Sequence, residues 1–600
     1  MAGTPQAIPT RDEIDDRDKW NLSRLYGNDE QWEGGLRDFT AMLERIESFR
    51  GTLASSPSAL QACLDYMMEV GKLDERLGTY AHLKVSEDAG SSANQDRFAR
   101  YMAVAAKAET LASYQVPEIQ AIPEGVMRGY LASTELHQYL IYLKKILRFK
   151  PHVLSEPEER LLAMQAESNQ TASKSFSALT DVDMDFGAVQ TPEGPRPLSQ
   201  STFSSLLIHQ DRETRKRAYF QFYEVFNTHR NTLASLYGGS VQLDIYRARA
   251  RNYPSARAAA LFPDDVPEAV YDSLVAAVSA NLAPLHAYYE LRKKALGVDE
   301  LGHYDVYVPL VKDIKVHHSY EEAVDIVVPA LAPLGEEYCR VLKSGLTGGW
   351  VDRYENKGKR SGAFSAGSFA GDPYILMNYK DDVLRDVFTL AHEGGHSMHS
   401  YYSAKNNPFQ HYSYTIFEAE VASTFNEQLL EDYLFKRADS REMKAYLIGK
   451  QVDDIIATIY RQTMFAEFEH LAHATVEGGG ALTVDSLRTI YRKLLEKYFG
   501  GTVKLEEVSD LECLRIPHFY RAFYVYKYAT GLSAAISLAK GVLEGGPKEQ
   551  EDFLAFLRSG GSRYPLESLR LAGVDMAKKE PVEQALRTFS RLVEELRKYV

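Results

Sequence analysis

Cysteine is scarce in this chain. Three occur among 600 residues, Cys63, Cys339 and Cys513. They are widely separated and form no C-x-x-C pair, which excludes a disulfide framework and a cysteine-built zinc site. Long apolar runs are missing as well. No stretch of about twenty apolar residues is present, and Met1 to Arg17 is polar, so neither a membrane span nor a signal peptide is expected. Positive charge is in short supply: 69 Lys and Arg against 83 Asp and Glu leave a formal net charge of −14. A nucleic-acid partner would want a basic footprint, so none is expected. Internal repeats, low-complexity tracts and strong linkers are absent too. A reducing, cytoplasmic setting is the simplest expectation, and a homo-oligomer stays open.

What is present is helical periodicity. A chain of this length can bury more than one core, and the pattern is mainly α. Residues 30 to about 180 read as successive amphipathic helices. A hairpin-like interruption follows, with Phe186 to Gln190 and Pro197 to Ser199 joined by Thr191-Pro192-Glu193-Gly194. Long helices resume to about residue 300. Gly348-Gly349-Trp350 and the glycine-rich run to Gly371 mark one strand-and-loop region. A helix from about Gln451 to Glu477 stops at Gly478-Gly479-Gly480. The last helix opens with Pro581 and should bury Val582, Leu586, Phe589, Val593, Leu596 and Val600. A soft boundary near residue 200 separates an N-terminal helical region, 1–200, from the remainder, 201–600.

The most informative motif is His392-Glu393-Gly394-Gly395-His396. Residues i and i+4 share a helix face, so both imidazoles can reach one zinc ion, with Glu393 beside them to act on water. Asp381 and Asp382 are N-cap candidates after the strand-like run Pro373 to Tyr379. Val383, Leu384, Val387, Phe388 and Ala391 follow at helical spacing. The two glycines cost about 0.5–1 kcal/mol each inside a helix. Either a substrate or neighbouring backbone passes close to that turn, or the glycines permit tight helix packing.

A catalytic zinc has three protein ligands and one open position. The metzincin pattern would need Gly at 399 and His at 402; this chain has His399 and Tyr402. His399 on the same helix would crowd the metal and reads as packing or as support for a ligand. The third ligand is then a carboxylate from the segment Phe417 to Glu427, which offers Glu418, Glu420 and Glu427. Glu420, Ser423, Thr424 and Glu427 form one polar stripe beside Val421, Ala422 and Phe425, and a carboxylate stripe on a buried helix needs a partner.

With these residues in view the chain resembles the thimet oligopeptidase-like zinc metallopeptidases, most closely their oligoendopeptidase F branch. The pair His392-Glu393-x-x-His396 and Glu420-x-x-Ser423 carries the resemblance. So do Asp18-Lys19-Trp20-Asn21-Leu22-Ser23-Arg24-Leu25-Tyr26 near the start, and Gly367-Ser368-Phe369 with Pro373 to Tyr379. The last is Ile516-Pro517-His518-Phe519-Tyr520 with Phe523 to Gly531. The resemblance makes Glu420 the third ligand of one zinc ion per chain. It implies two mainly helical lobes around a deep channel, with a small sheet beside the zinc helix. Residues 1–200 would form part of the channel wall and 201–600 the catalytic domain. It also implies cleavage inside short, unstructured oligopeptides.

Glu393 is then the general base, and His518 and nearby tyrosines are donors to the developing oxyanion. If a helix starts near Tyr520, then Tyr520, Tyr524 and Tyr528 share one face, and Tyr526 points elsewhere. The His-to-Tyr spacing departs slightly from that of better-known relatives, so the order of assignment is His518, then Tyr524 and Tyr528, then Tyr520. Gly367, Ser368, Phe369 and Tyr374 lie on a strand edge that would bind extended peptide through backbone hydrogen bonds. Two alternatives stay open. An exopeptidase would use Arg515 or Arg521 to hold a terminal carboxylate. A non-catalytic peptide-binding protein would keep a structural metal, which is normally closed by four ligands.

Overall fold

Short polar side chains start many of the helices. Asn28 accepts from the Gln31 N–H ahead of Asp29–Ile46. Ser56 does the same for Ala59 ahead of Pro57–Glu87, with proline in the first turn. Ser440 and Thr483 repeat the device at Arg441–Ile455 and Val484–Phe499. Each such cap satisfies an amide that the helix itself leaves unpaired. The computed structural model describes residues 7–311, 314 and 316–600. The fold is mainly α with only small sheets. Among the described residues no helix is long and apolar enough to cross a membrane, and all three cysteines are free.

The chain forms two units, each assembled from three segments. The first takes Met1–Lys150, Lys315–Tyr433 and Leu538–Val574; the second takes Pro151–Ile314, Leu434–Ser537 and Asp575–Val600. In the first unit, Trp32, Phe39, Leu43, Leu60 and Leu77 share a core with Tyr374 and Leu376. Tyr374–Leu376 is the central strand of a three-stranded sheet. It pairs parallel with Val351–Asp352 and antiparallel with the edge strand Phe364–Ala366, in register Ser365 to Ile375. The helix Leu384–Asn406 is fastened to that sheet. Ser397 Oγ lies 2.8 Å from Ser365 Oγ and donates to the Pro373 carbonyl at 3.2 Å. Its start differs from expectation: Val383 is the N-cap residue and no side chain caps it. Asp381 instead accepts from the His318 N–H through its backbone carbonyl, and Asp386 accepts from the Lys380 N–H. Tertiary and loop contacts have taken over the work of a local cap.

In the second unit the expected interruption is an antiparallel hairpin, Ala188–Thr191 with Gly194–Pro197. The expected helix ending at Gly478 is present, preceded by a π-helical turn, Ile456–Tyr460. The last helix, Glu580–Leu596, has Pro581 in its first turn and buries Val582, Leu586, Phe589, Val593 and Leu596. Val600 departs from expectation. It lies past the helix end and is exposed, because the turn after Leu596 breaks the period.

Candidate metal centre

His392, Glu393 and His396 sit mid-way along Leu384–Asn406, and Glu420 is in the second turn of Ile416–Arg437. The two helices touch backbone to backbone at Gly395. A Cβ there would fall 2.6 Å from the Ala422 carbonyl oxygen and 2.7 Å from Ser423 Cα. Gly394 is different: a Cβ would meet only the Leu342 methyls, at 3.3 and 3.8 Å. The backbone that approaches Gly395 is that of the second helix, so tight helix–helix packing describes this glycine. Asn426 locks the crossing by donating to the Ala391 carbonyl at 3.1 Å, and Tyr338 donates to Asn426 Oδ1 at 3.1 Å.

This crossing aims Glu420 at the histidine pair. Glu420 Oε2 lies 3.6 Å from His392 Nε2 and 3.8 Å from His396 Nε2. One atom from each of the three residues falls within 4.8 Å of the others. These separations are too long for good hydrogen bonds. They are near the roughly 3.3–3.5 Å expected between ligand atoms held ~2.0–2.1 Å from one tetrahedral ion. The other side of each imidazole is already taken. His392 Nδ1 is 2.6 Å from Glu427 Oε1, and His396 is hydrogen-bonded to the backbone carbonyl of Ala419. A hydrogen bond behind the ring is how ligating histidines are usually fixed in tautomer and orientation. Two imidazole nitrogens and one carboxylate oxygen fit zinc and leave one position open.

Electrostatics point the same way. Glu393, Glu420 and Glu427 surround His392. Burial opposes charge on that ring, but the three carboxylates outweigh it and raise His392 to about 9. Glu393 is buried, which pushes its carboxyl up to about 7 together with Glu420 and Glu427 and against the pull of His392. The Ser365 backbone N–H bonds to the Glu393 carboxylate, so the edge strand touches this residue. His396 is held down to about 3 by burial and by His392. A centre this rich in carboxylate is suited to a cation.

The other carboxylates and His399 are accounted for. Glu418 is buried and turned back on its own helix start, accepting from the Thr415 N–H and hydroxyl. Its carboxyl is raised to about 7, chiefly by burial. His399 is buried and stacked on Tyr414 at 3.6 Å between ring centroids. It packs rather than joining the metal-binding group.

The expected substrate strand divides. Gly367 is exposed and Phe369 half-buried. Phe369 rests on Phe409 and Tyr412 and donates its N–H to Glu75. Ser368 is buried and accepts from the Gly371 N–H. Tyr374 is fully buried beneath Trp20. The side chains of Ser368 and Tyr374 therefore hold the strand in place rather than facing solvent.

His518 and the tyrosines belong to the second unit. No single helix runs through them, contrary to the premise of one shared face from Tyr520 onward. Pro517–Tyr520 is a 3-10 turn, and the helix starts at Tyr526. His518 and Tyr528 approach at 6.1 Å between centroids, and Tyr524 and Tyr528 at 5.4 Å. Tyr520 turns away to Phe176 and Tyr237. Arg515, offered as a carboxylate clamp, lies 3.5 Å from Glu512 and over the rings of Phe203 and Phe222. Arg521 lies flat over the Tyr524 ring at 4.0 Å.

Comparison with known proteins adds the decisive observation. A model described as Peptidase family M3 matches residues 205–588, and one described as Oligopeptidase F matches residues 118–186. The chain belongs to peptidase family M3. An oligoendopeptidase F homolog of Borreliella burgdorferi is 41% identical over 589 residues, covering 98% of this chain and 99% of the relative. Oligopeptidase PepF of Bacillus subtilis is 40% identical over 591 residues, 98% of this chain and 88% of the relative. The solved oligoendopeptidase-F from Enterococcus faecium matches with a TM-score of 0.73 at 33% identity, over 95% of this chain and 99% of that one. As a member of the M3 family and its oligoendopeptidase F branch, the chain is a metallo-endopeptidase that acts on peptides with a metal cofactor.

Sequence reasoning missed three parts of this M3 site. The sequence offers Glu427 as a candidate third ligand and a member of the polar stripe, not as the partner of His392 Nδ1. The Asn426–Tyr338 lock left no periodic signal. Ser365, whose N–H meets Glu393, looked like an ordinary strand residue.

Proposed function

We propose that the metal is zinc and that the enzyme cleaves internal bonds of short, unstructured oligopeptides with Glu393 as general base. The observation that carries this is the convergence of His392 Nε2, His396 Nε2 and Glu420 Oε2 with Glu393 alongside. When bound, zinc supplies Lewis-acid activation of water and of the peptide carbonyl. Glu393 takes the proton of the attacking water and passes it to the leaving amine. Burial beside Glu420 and Glu427 raises the Glu393 carboxyl above the ordinary carboxylate range, the direction needed by a group that both takes and returns a proton. By the family motif, His518, then Tyr524 and Tyr528, are the donors that meet the oxyanion, with Tyr520 last. Each such donor is worth roughly 3–4 kcal/mol of barrier.

The edge strand Phe364–Ala366 is the natural place for an extended peptide, through backbone bonds near Ser365 and Gly367. On this reading residues 201–600 carry the catalytic groups, and residues 1–200 help to wall a channel that admits flexible peptides. The free cysteines suit a reducing, cytoplasmic setting.

The test is hydrolysis of an internally quenched peptide of about ten residues, with products identified by mass spectrometry. Wild type should cut internally. Glu393→Gln, folded and metal-loaded, should lose kcat by about a thousandfold or more. Release of single residues from one end would replace this reading with an exopeptidase. Equal activity of the variant would remove Glu393 from the chemistry.

A further inference from the structure

Phe523 has a φ of +55°. Among the described residues, Asn252 at +59° and Asp265 at +54° are the other non-glycine residues with positive φ. Asn and Asp visit this region because their short polar side chains bond locally, whereas a bulky aromatic residue there is strained. Such strain persists only where the surroundings over-determine it, and it gathers at functional sites. Phe523 lies at the break between the turn Pro517–Tyr520 and the helix Tyr526–Glu544, between His518 on one side and Tyr524 and Tyr528 on the other.

One helix, Arg461–Glu477, holds it there. Glu469 Oε1 accepts the Phe523 backbone N–H at 3.1 Å. One turn further on, the His473 ring meets the Phe523 ring at 4.7 Å between centroids. Tyr271 packs on the same ring at 5.9 Å. Glu469 is fully buried, and its Oε2 meets no donor within the described chain. Burial, reinforced by Asp244 and opposed by the Phe523 N–H, pushes its carboxyl well above the ordinary range. A buried acid without a cation is costly, and an apolar side chain would fill the same space. Its one visible hydrogen bond goes to the amide of the strained residue.

We propose that Glu469 is a positioning residue for the peptidase reaction: by accepting the Phe523 N–H it fixes the left-handed turn that sets where His518, Tyr524 and Tyr528 present their polar atoms. This rests on the reading of that segment as catalytic. If the turn relaxed to negative φ, the chain would enter the helix at Tyr526 along another path. The His518–Tyr528 and Tyr524–Tyr528 contacts would then separate. The metal ligands lie in the other unit, so metal content should not change.

The experiment is steady-state cleavage of the internally quenched peptide by zinc-loaded full-length variants, normalised to folded protein. Glu469→Leu should lower kcat by about tenfold or more with KM within about twofold. Glu469→Gln keeps an acceptor and the shape of a neutral acid, and should stay within about twofold of wild-type kcat. Undiminished kcat in folded Glu469→Leu overturns the proposal, as does failure of Gln to rescue. If Glu469→Leu does not fold, Phe523→Gly and Phe523→Ala decide. Both remove the ring, but only glycine takes positive φ freely. Several-fold higher kcat in the glycine variant supports the turn, and equal kcat overturns it. His518→Ala run alongside separates the two claims. If it leaves kcat intact, the catalytic reading of the segment falls and this inference with it. If it abolishes turnover while Glu469→Leu does not, only the inference falls.

Discussion

His392 is held from behind by Glu427, at 2.6 Å from Nδ1, while its Nε2 faces Glu420. A carboxylate in that position fixes the imidazole and raises its basicity as a ligand, and removing one typically costs ten- to a hundredfold in metal affinity. Glu427→Ala should therefore weaken zinc binding by about 10–100-fold, read by competition with a chromophoric chelator. Glu418→Gln is the control. Glu418 bonds to Thr415 at its own helix start and to Ser568, not to either histidine of the pair, so its replacement should leave affinity unchanged. Reversed effects would mean that the carboxylates have been misassigned. At this scale the sequence was partly legible. The spacing of His392 and His396 predicts a shared face, but spacing puts both Glu420 and Glu427 on one polar stripe and does not choose between them. The resemblance singles out Glu420. Only the helix crossing shows Glu427 behind His392 and Glu418 turned away.

At the scale of elements, that crossing depends on Gly395. A methyl group there would lie 2.6 Å from the Ala422 carbonyl, and neither backbone can yield without moving Glu420. Gly395→Ala should destabilise the protein by about 1–3 kcal/mol through overpacking and also weaken metal binding. Gly394→Ala meets a flexible Leu342 methyl at 3.3 Å, and the gain in helix propensity of about 0.5–1 kcal/mol opposes any crowding. It should stay near wild type in urea unfolding and in zinc titration. Equal behaviour of the two variants would refute the crossing as the reason for glycine at 395. Helices of strong period, such as Glu580–Leu596 with its buried Val582, Leu586 and Phe589, are readable from sequence because packing repeats every turn. The start at Val383 and the break at Phe523 are not, since long-range contacts to His318 and Glu469 set them.

Over the whole molecule, each unit closes only when distant segments meet, and the second unit pins its segments with buried charge. Glu512 is buried between Arg461, which donates to it, and Tyr491, which donates at 2.7 Å. Burial alone would raise its carboxyl; Arg461 and Arg515 outweigh burial and hold it down to about 2. His303 lies close by, and burial lowers it from 6.5 to about 4. Both groups bind fewer protons folded than unfolded, so stability falls as pH falls. His303 contributes this loss from pH 6.5 down to about 4, and Glu512 contributes it from 4.5 down to about 2. All three tryptophans, Trp20, Trp32 and Trp350, belong to the first unit. Tryptophan fluorescence thus reports that unit, while far-UV circular dichroism reports both. His303 is isolated by its own variant: between pH 7 and 5 the urea midpoint by circular dichroism should fall less in His303→Gln than in wild type, while the midpoint by fluorescence should fall alike in both. An equal fall by circular dichroism in the two proteins would show that His303 does not carry this loss.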